Sequence, residues 1–107
     1  MNYLAVQATF VRVGGGTSAD FFVQTTLDNG HTWIDIMEFS FATTTATKVS
    51  AVVTCIALAP AITPGDGALT VNTILTGLLG SQLRVKYTTV GTYTGASSIT
   101  LTGVVKN

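Results

Sequence analysis

Residues 24–39, QTTLDNGHTWIDIMEF, constrain the fold more than any other part of the chain. Two β-type arms, the second with apolar residues on both faces, flank Asp28-Asn29-Gly30. A tight reversal between β arms needs residues that tolerate positive φ, and Asn and Gly do so at the least steric cost. The pattern predicts a hairpin with strands over 19–27 and 32–39. In the second strand Trp33, Asp35, Met37 and Phe39 are expected on one face, and Thr32, Ile34, Ile36 and Glu38 on the other. Apolar groups on both faces suit a strand inside a two-sheet sandwich or at a subunit contact.

The rest of the chain carries the same signature. Thr, Val and Ile recur along almost its whole length, and β-branched side chains fit a pleated surface better than a helix. Further strands are expected over 3–13, 48–58, 82–90 and 97–105. One or two more are expected near 40–47 and 68–76, where Gly77 and Gly80 interrupt an otherwise weak helical spacing and leave room for one helical turn at most. Gly14-Gly15-Gly16 and residues 91–96 read as loops, and Pro60 and Pro64-Gly65-Asp66-Gly67 carry turn chemistry. Strands at this spacing predict a single all-β domain over 1–107, an antiparallel β-sandwich of jelly-roll-like type with about seven or eight strands and little or no helix.

Charged residues make up 9% of the 107 residues and the formal net charge is zero. Phosphate contacts need a basic face, and Arg12, Arg84, Lys48, Lys86 and Lys106 are scattered, so no nucleic-acid partner is expected. A soluble protein normally relies on charge for colloidal stability. So neutral and Thr-rich a surface therefore implies that much of it is covered in the working state. No membrane association is expected, because the longest apolar stretch, 49–62, is too short and too interrupted to span a bilayer. The start, Met1-Asn2-Tyr3-Leu4, lacks a basic segment followed by an apolar one, which predicts folding in the cytoplasm of synthesis. Cys55 stands alone and reads as a small core residue.

No reactive constellation emerges. The triple glycine is followed by a strand and not by a helix with Lys-Ser/Thr, so it is not a phosphate cradle. Asp35 and Glu38, expected on opposite faces, cannot flank one substrate bond. His31 with one carboxylate falls short of the three or four ligands of a metal site, and no Ser sits in a nucleophile elbow. A non-enzyme without cofactor or metal is expected. Among the aromatics Tyr3, Tyr87 and Tyr93, the last lies in a glycine-flanked loop; with His31 it is a candidate surface contact, suited at most to weak glycan binding.

Residues 26–33, TLDNGHTW, resemble the Asp-box pattern S/T-x-D-x-G-x-T-W of sialidase propellers and several unrelated β proteins. The resemblance implies a structural role: Asp28 folds onto the turn amides, Gly30 takes the special backbone angle and Trp33 anchors the hairpin in the core. Asp28, Asn29, Gly30, Thr32 and Trp33 are thus the candidate hairpin residues. A single such motif in 107 residues cannot build a propeller.

Three blocks, VQTTLDNGHTWIDIMEFSF, ITPGDGALTVNTILTGLLG and SQLRVKYTTVGTYTGASSITLTGVV, together resemble the small β-sandwich virion proteins of tailed bacteriophages. That family shows the same order: a Trp-bearing hairpin, a Pro/Gly/Asp loop and a closing hairpin. The resemblance implies a capsid decoration or cement protein, a homo-oligomer bound in many copies to the major capsid protein on the outer shell. The contact is expected to include the N-terminal strand, the 60–80 loop and a free strand edge. A tail or head-tail joining protein, and a carbohydrate-binding adhesion module, are the alternatives.

Overall fold

The structure is a computed structural model that describes residues 2–54 and 61–107. Cys55 and Pro60, with the second half of the strand expected over 48–58, lie outside the described residues. The described chain forms β1 (Tyr3–Val11), β2 (Gly14–Gly15), β3 (Ser18–Thr26), β4 (Ile34–Phe41), β5 (Ala46–Val53), β6 (Gln82–Val90), β7 (Tyr93–Thr94) and β8 (Ser98–Lys106). All pairing is antiparallel, and no helix occurs among the described residues.

Two three-stranded sheets, β5-β1-β8 and β4-β3-β6, pack face to face. Strict alternation along β1 sends Leu4, Val6, Ala8 and Phe10 inward. They meet Phe21 and Val23 of β3, and Met37, Phe39 and Phe41 of β4. The aromatic end of this core is tightly coupled: Phe10 stacks on Phe41 with centroids 5.1 Å apart and meets Tyr93 edge-on at 5.3 Å.

The six long strands overlap the segments expected from the sequence, with β4 running from Ile34 to Phe41 and so absorbing the start of the 40–47 segment, and β5 starting at Ala46 and ending at Val53. The two short ones do not. They form a separate ribbon in which Gly14-Gly15 pairs with Tyr93-Thr94, both read from sequence as loops. Gly15 has φ 66°, and an added Cβ would run into the Thr92 carbonyl, so this close pairing requires glycine. The 68–76 segment is neither a strand nor a helical turn; Ile74 makes one isolated antiparallel bridge to Met37.

A β-bulge corrects the expected facing of β4. Phe22 pairs with Glu38 and Val23 with Met37, but Gln24 pairs with Asp35, so Ile36 is the extra residue. Phe22 and Gln24 share one face of β3. Asp35 and Glu38 therefore share the matching face of β4, turned away from the inter-sheet core.

Candidate functional site

Three regions hold the residues that matter: the 26–33 turn, the face carrying the two carboxylates, and the opposite margin of the sandwich.

In the turn, Asn29 and Gly30 have φ of 58° and 89°, the double left-handed geometry that Asn-Gly favours. The His31 amide donates weakly to the Asp28 carbonyl at 3.4 Å, and His31 Nδ1 lies 2.7 Å from the same oxygen. Asp28 Oδ1 accepts from the Thr32 amide at 2.7 Å and from the Thr26 hydroxyl at 2.9 Å, and the Gly30 amide donates to Thr26 Oγ1 at 2.9 Å. The bonds from Thr32 hold the Asp28 carboxyl below its ordinary value. Asp28 thus folds onto a turn amide and Gly30 takes the left-handed angle, while Trp33 departs from its expected place. Trp33 is only half-buried and precedes β4; its ring carries the Arg84 guanidinium 4.4 Å from the centroid and is not inserted between the sheets.

Tyr93 is also half-buried. Its ring packs on Phe10, an added Cβ at Gly16 would overlap it, and its hydroxyl donates to the Ala42 carbonyl at 2.8 Å. The most exposed tyrosine is Tyr87, at 67%. His31 remains exposed on the turn.

The bulged face of β4 carries a polar network that pattern reading missed. Asp35, 3% exposed, accepts four hydrogen bonds: from Gln24 Nε2 at 2.7 Å and the Gly67 amide at 2.9 Å through Oδ1, and from the Ala68 and Leu69 amides at 2.8 and 3.1 Å through Oδ2. Gln24, fully buried, also donates to Asp66 at 2.7 Å and accepts from Arg84 Nε at 2.6 Å. Asp66 bridges to Lys86 at 3.0 Å, and the Gln24 and Lys86 bonds hold its carboxyl below the ordinary value. Glu38 accepts from the Asn72 amide at 3.0 Å.

Burial, and after it the neighbouring Asp20 carboxylate, push Glu38 up to about 7. Asp20 Oδ1 is buried without a hydrogen-bond partner among the described residues. A Glu38 that keeps its proton has the donor this oxygen needs. Only the run of backbone amides across the bulge reveals this arrangement, and no residue motif marks it.

Together these bonds turn residues 65–77 into a strap along the outer edge of β4. Main-chain bonds continue the attachment: Asp35 N to Gly65 O, Glu38 N to Thr73 O and Leu75 N to Ile36 O at 2.8–3.0 Å. The strap then reaches β5, where the Gly77 amide donates to the Val53 carbonyl and Lys48 Nζ to Asn72 Oδ1. The carboxylates are occupied in holding chain to chain. Among the described residues no three His, Cys, Asp or Glu side chains converge as metal ligands, and no helix is long and apolar enough to cross a membrane.

Among the described residues, two largely apolar sheet surfaces are uncovered. The outer face of β5-β1-β8 presents Tyr3, Ala5, Gln7 and Thr9 of β1 beside Thr47, Val49 and Ala51 of β5 and Thr100, Thr102 and Val104 of β8. Lys106, over the Tyr3 ring at 5.9 Å, is its one charge, while Val49 is 66% and Val104 50% exposed. The second is a largely apolar cleft of about 330 Å³ between β6 and β8, lined by Leu4, Val6, Val23, Leu83, Val85, Leu101, Gly103 and Val105, with Arg84 its one charged lining residue. The expected N-terminal contact strand, β1, is central in its sheet, so it can offer side chains but no free backbone edge. In comparisons with known proteins, no family model, no curated protein and no solved structure matches this chain.

Proposed function

We propose that the protein is a non-enzymatic structural component of a tailed-phage particle, a decoration or cement protein that binds the assembled head in many copies. The observation that supports this reading is the outer face of β5-β1-β8: a Thr/Val/Ala surface with a single charge among the described residues, carried by a protein of zero net charge. Such a face costs little to desolvate and does not repel identical neighbours, as repeated attachment to a lattice of capsid subunits requires. Binding the mature shell and not its precursor stabilises the mature state by mass action. The chain works on the capsid surface after synthesis in the bacterial cytoplasm, with the major capsid protein as its partner.

Quantitative mass spectrometry of purified particles tests this against the tail or head-tail joining alternative. Hundreds of copies per particle support decoration; a handful would favour a joining role. Val49→Lys, which places a charge on the β5 side of the proposed contact face, should lower occupancy on the head without unfolding the free protein. Full occupancy by that variant would move the contact elsewhere. Binding on a glycan array would instead support the adhesion-module reading.

A further inference from the structure

The cleft between β6 and β8 exists because each sheet stops one strand short on that side. Leu83, Val85 and Tyr87 of β6 point toward the other sheet, as do Leu101, Gly103 and Val105 of β8. Yet Val85 is 45%, Tyr87 67% and Val105 50% exposed. These are core positions without a core. Both margins are also nine-residue strands, and among the described residues neither has a partner on its outer backbone edge. Their ladders run without a bulge and neither strand carries a proline or an inward charge; of the usual protections of an edge only outward charges are present, Arg84 and Lys86 on β6 and Lys106 at the end of β8.

We infer that a second copy of this chain closes the cleft, β6 of each copy pairing with β8 of the other about a two-fold axis parallel to the strands. The strand directions permit it. Ser18 pairs with Val90 at the end of β6, and Val11 pairs with Ser98 at the start of β8, and a short connection joins Val11 to Ser18. β6 and β8 therefore run in opposite directions. A rotation about an axis along the strands preserves each direction, so β6 meets β8 of the other copy antiparallel. Each three-stranded sheet then continues into the opposite sheet of its partner, and the exposed inward residues of the two copies pack on one another.

Size and charge agree with this occupant. Nine residues at about 3.4 Å give an edge about 30 Å long, and two sheets about 10 Å apart with their side chains give a mouth about 20 Å across. That outline, roughly 600 Å² per copy before side-chain relief, approaches the ~800 Å² per partner of a standard specific interface. Arg84 and Lys86 lie on the outward face of β6; Arg84 also borders the cleft, and because it is bonded to Gln24 and Asp66, and Lys86 to Asp66, the charge at the seam is already paired within the copy. The inference specifies the homo-oligomer and does not depend on attachment to a capsid, because it concerns the protein alone.

Sedimentation velocity of the free full-length chain across a wide concentration range tests it. The expected result is a species of twice 11.1 kDa. Val105→Lys should weaken it roughly 100-fold or more, because an unpaired charge would be buried in the seam twice. Val71→Lys, the same charge change at an exposed strap position, should leave it intact. Circular dichroism establishes that the Val105 variant is folded. Hydrogen exchange of the unaltered protein reads the same contact without a variant: β6 and β8 amides should lose protection on dilution while β1 and β3 keep theirs. A monomer at every concentration, a dimer indifferent to Val105→Lys, or concentration-independent exchange at both edges would overturn the proposal. Edge protection that appears only when capsid is added would also overturn it and make a capsid strand the occupant.

Discussion

The two margins of this sandwich meet the same problem with opposite chemistry. At the β4/β5 margin the strap over 65–77 supplies backbone partners to the edge of β4, and two buried carboxylates hold it by accepting main-chain amides. At the β6/β8 margin nothing of the kind is present among the described residues, and inward valines stand half in solvent. Asp35, Glu38 and Gln24 lie on the first margin, while Lys106, at the end of β8, is the single charge on the outer face of its sheet. The difference teaches how a chain with so few charges uses them. It spends buried carboxylates where its own chain must stay attached, and leaves the second margin apolar where an external surface can complete it.

The comparison breaks most easily at Asp35. Asp35→Ala removes the acceptor of four hydrogen bonds and leaves three strap amides and Gln24 without it, each buried unsatisfied group costing about 1–3 kcal/mol. A loss of about 3–5 kcal/mol in urea unfolding is expected, with faster exchange over the strap. A loss below about 1 kcal/mol would mean that the strap is held by something other than this carboxylate.

The next largest effect is a pH dependence centred on Glu38. Its folded value is raised to about 7 from 4.5, so between these limits the folded state holds a proton that the unfolded state has released. Stability from this group is therefore full below about pH 4.5, falls as pH rises toward 7, and levels off above. Asp28 and Asp66 act in the other direction, their contributions disappearing only as acid protonates them below the ordinary carboxylate value, so the two windows stay separate. Glu38→Gln keeps a neutral side chain able to donate to Asp20, and its urea midpoint should be flat from pH 5 to 8. A wild-type midpoint that rises over this window would refute the assignment.

Smaller still is the turn. Asp28→Ala removes the acceptor for the Thr32 amide on an exposed loop and should lower the melting temperature less than Asp35→Ala does. Lost capsid binding at unchanged melting temperature would instead make the turn a contact site. The smallest effect is expected on the open margin. Val85→Thr, at a position 45% exposed, should change monomer stability by no more than about 0.5 kcal/mol. A large loss there would mean that the cleft is already a working part of the monomer core.

Local chemistry and periodicity made much of this legible. Asn-Gly and the Asp28–Thr32 bond are short-range features, and the alternation of β1 records which face is buried. The Gly14-Gly15 ribbon and the strap escaped such reading because their partners lie far along the chain, at Tyr93-Thr94 and on β4. The bulge at Ile36 escaped it for another reason. One inserted residue reverses every facing beyond it, and no residue type announces the insertion.

The sequence by itself thus determined an all-β chain, its six long strands and its turn, because those depend on backbone sterics and on the period of apolar side chains. Tertiary structure alone decided which margin is closed, that Asp35 and Glu38 share a face, that Trp33 rides on Arg84 and that Tyr93 is packed. Those outcomes depend on which distant segments meet and in what register, and a one-residue shift in register changes them all.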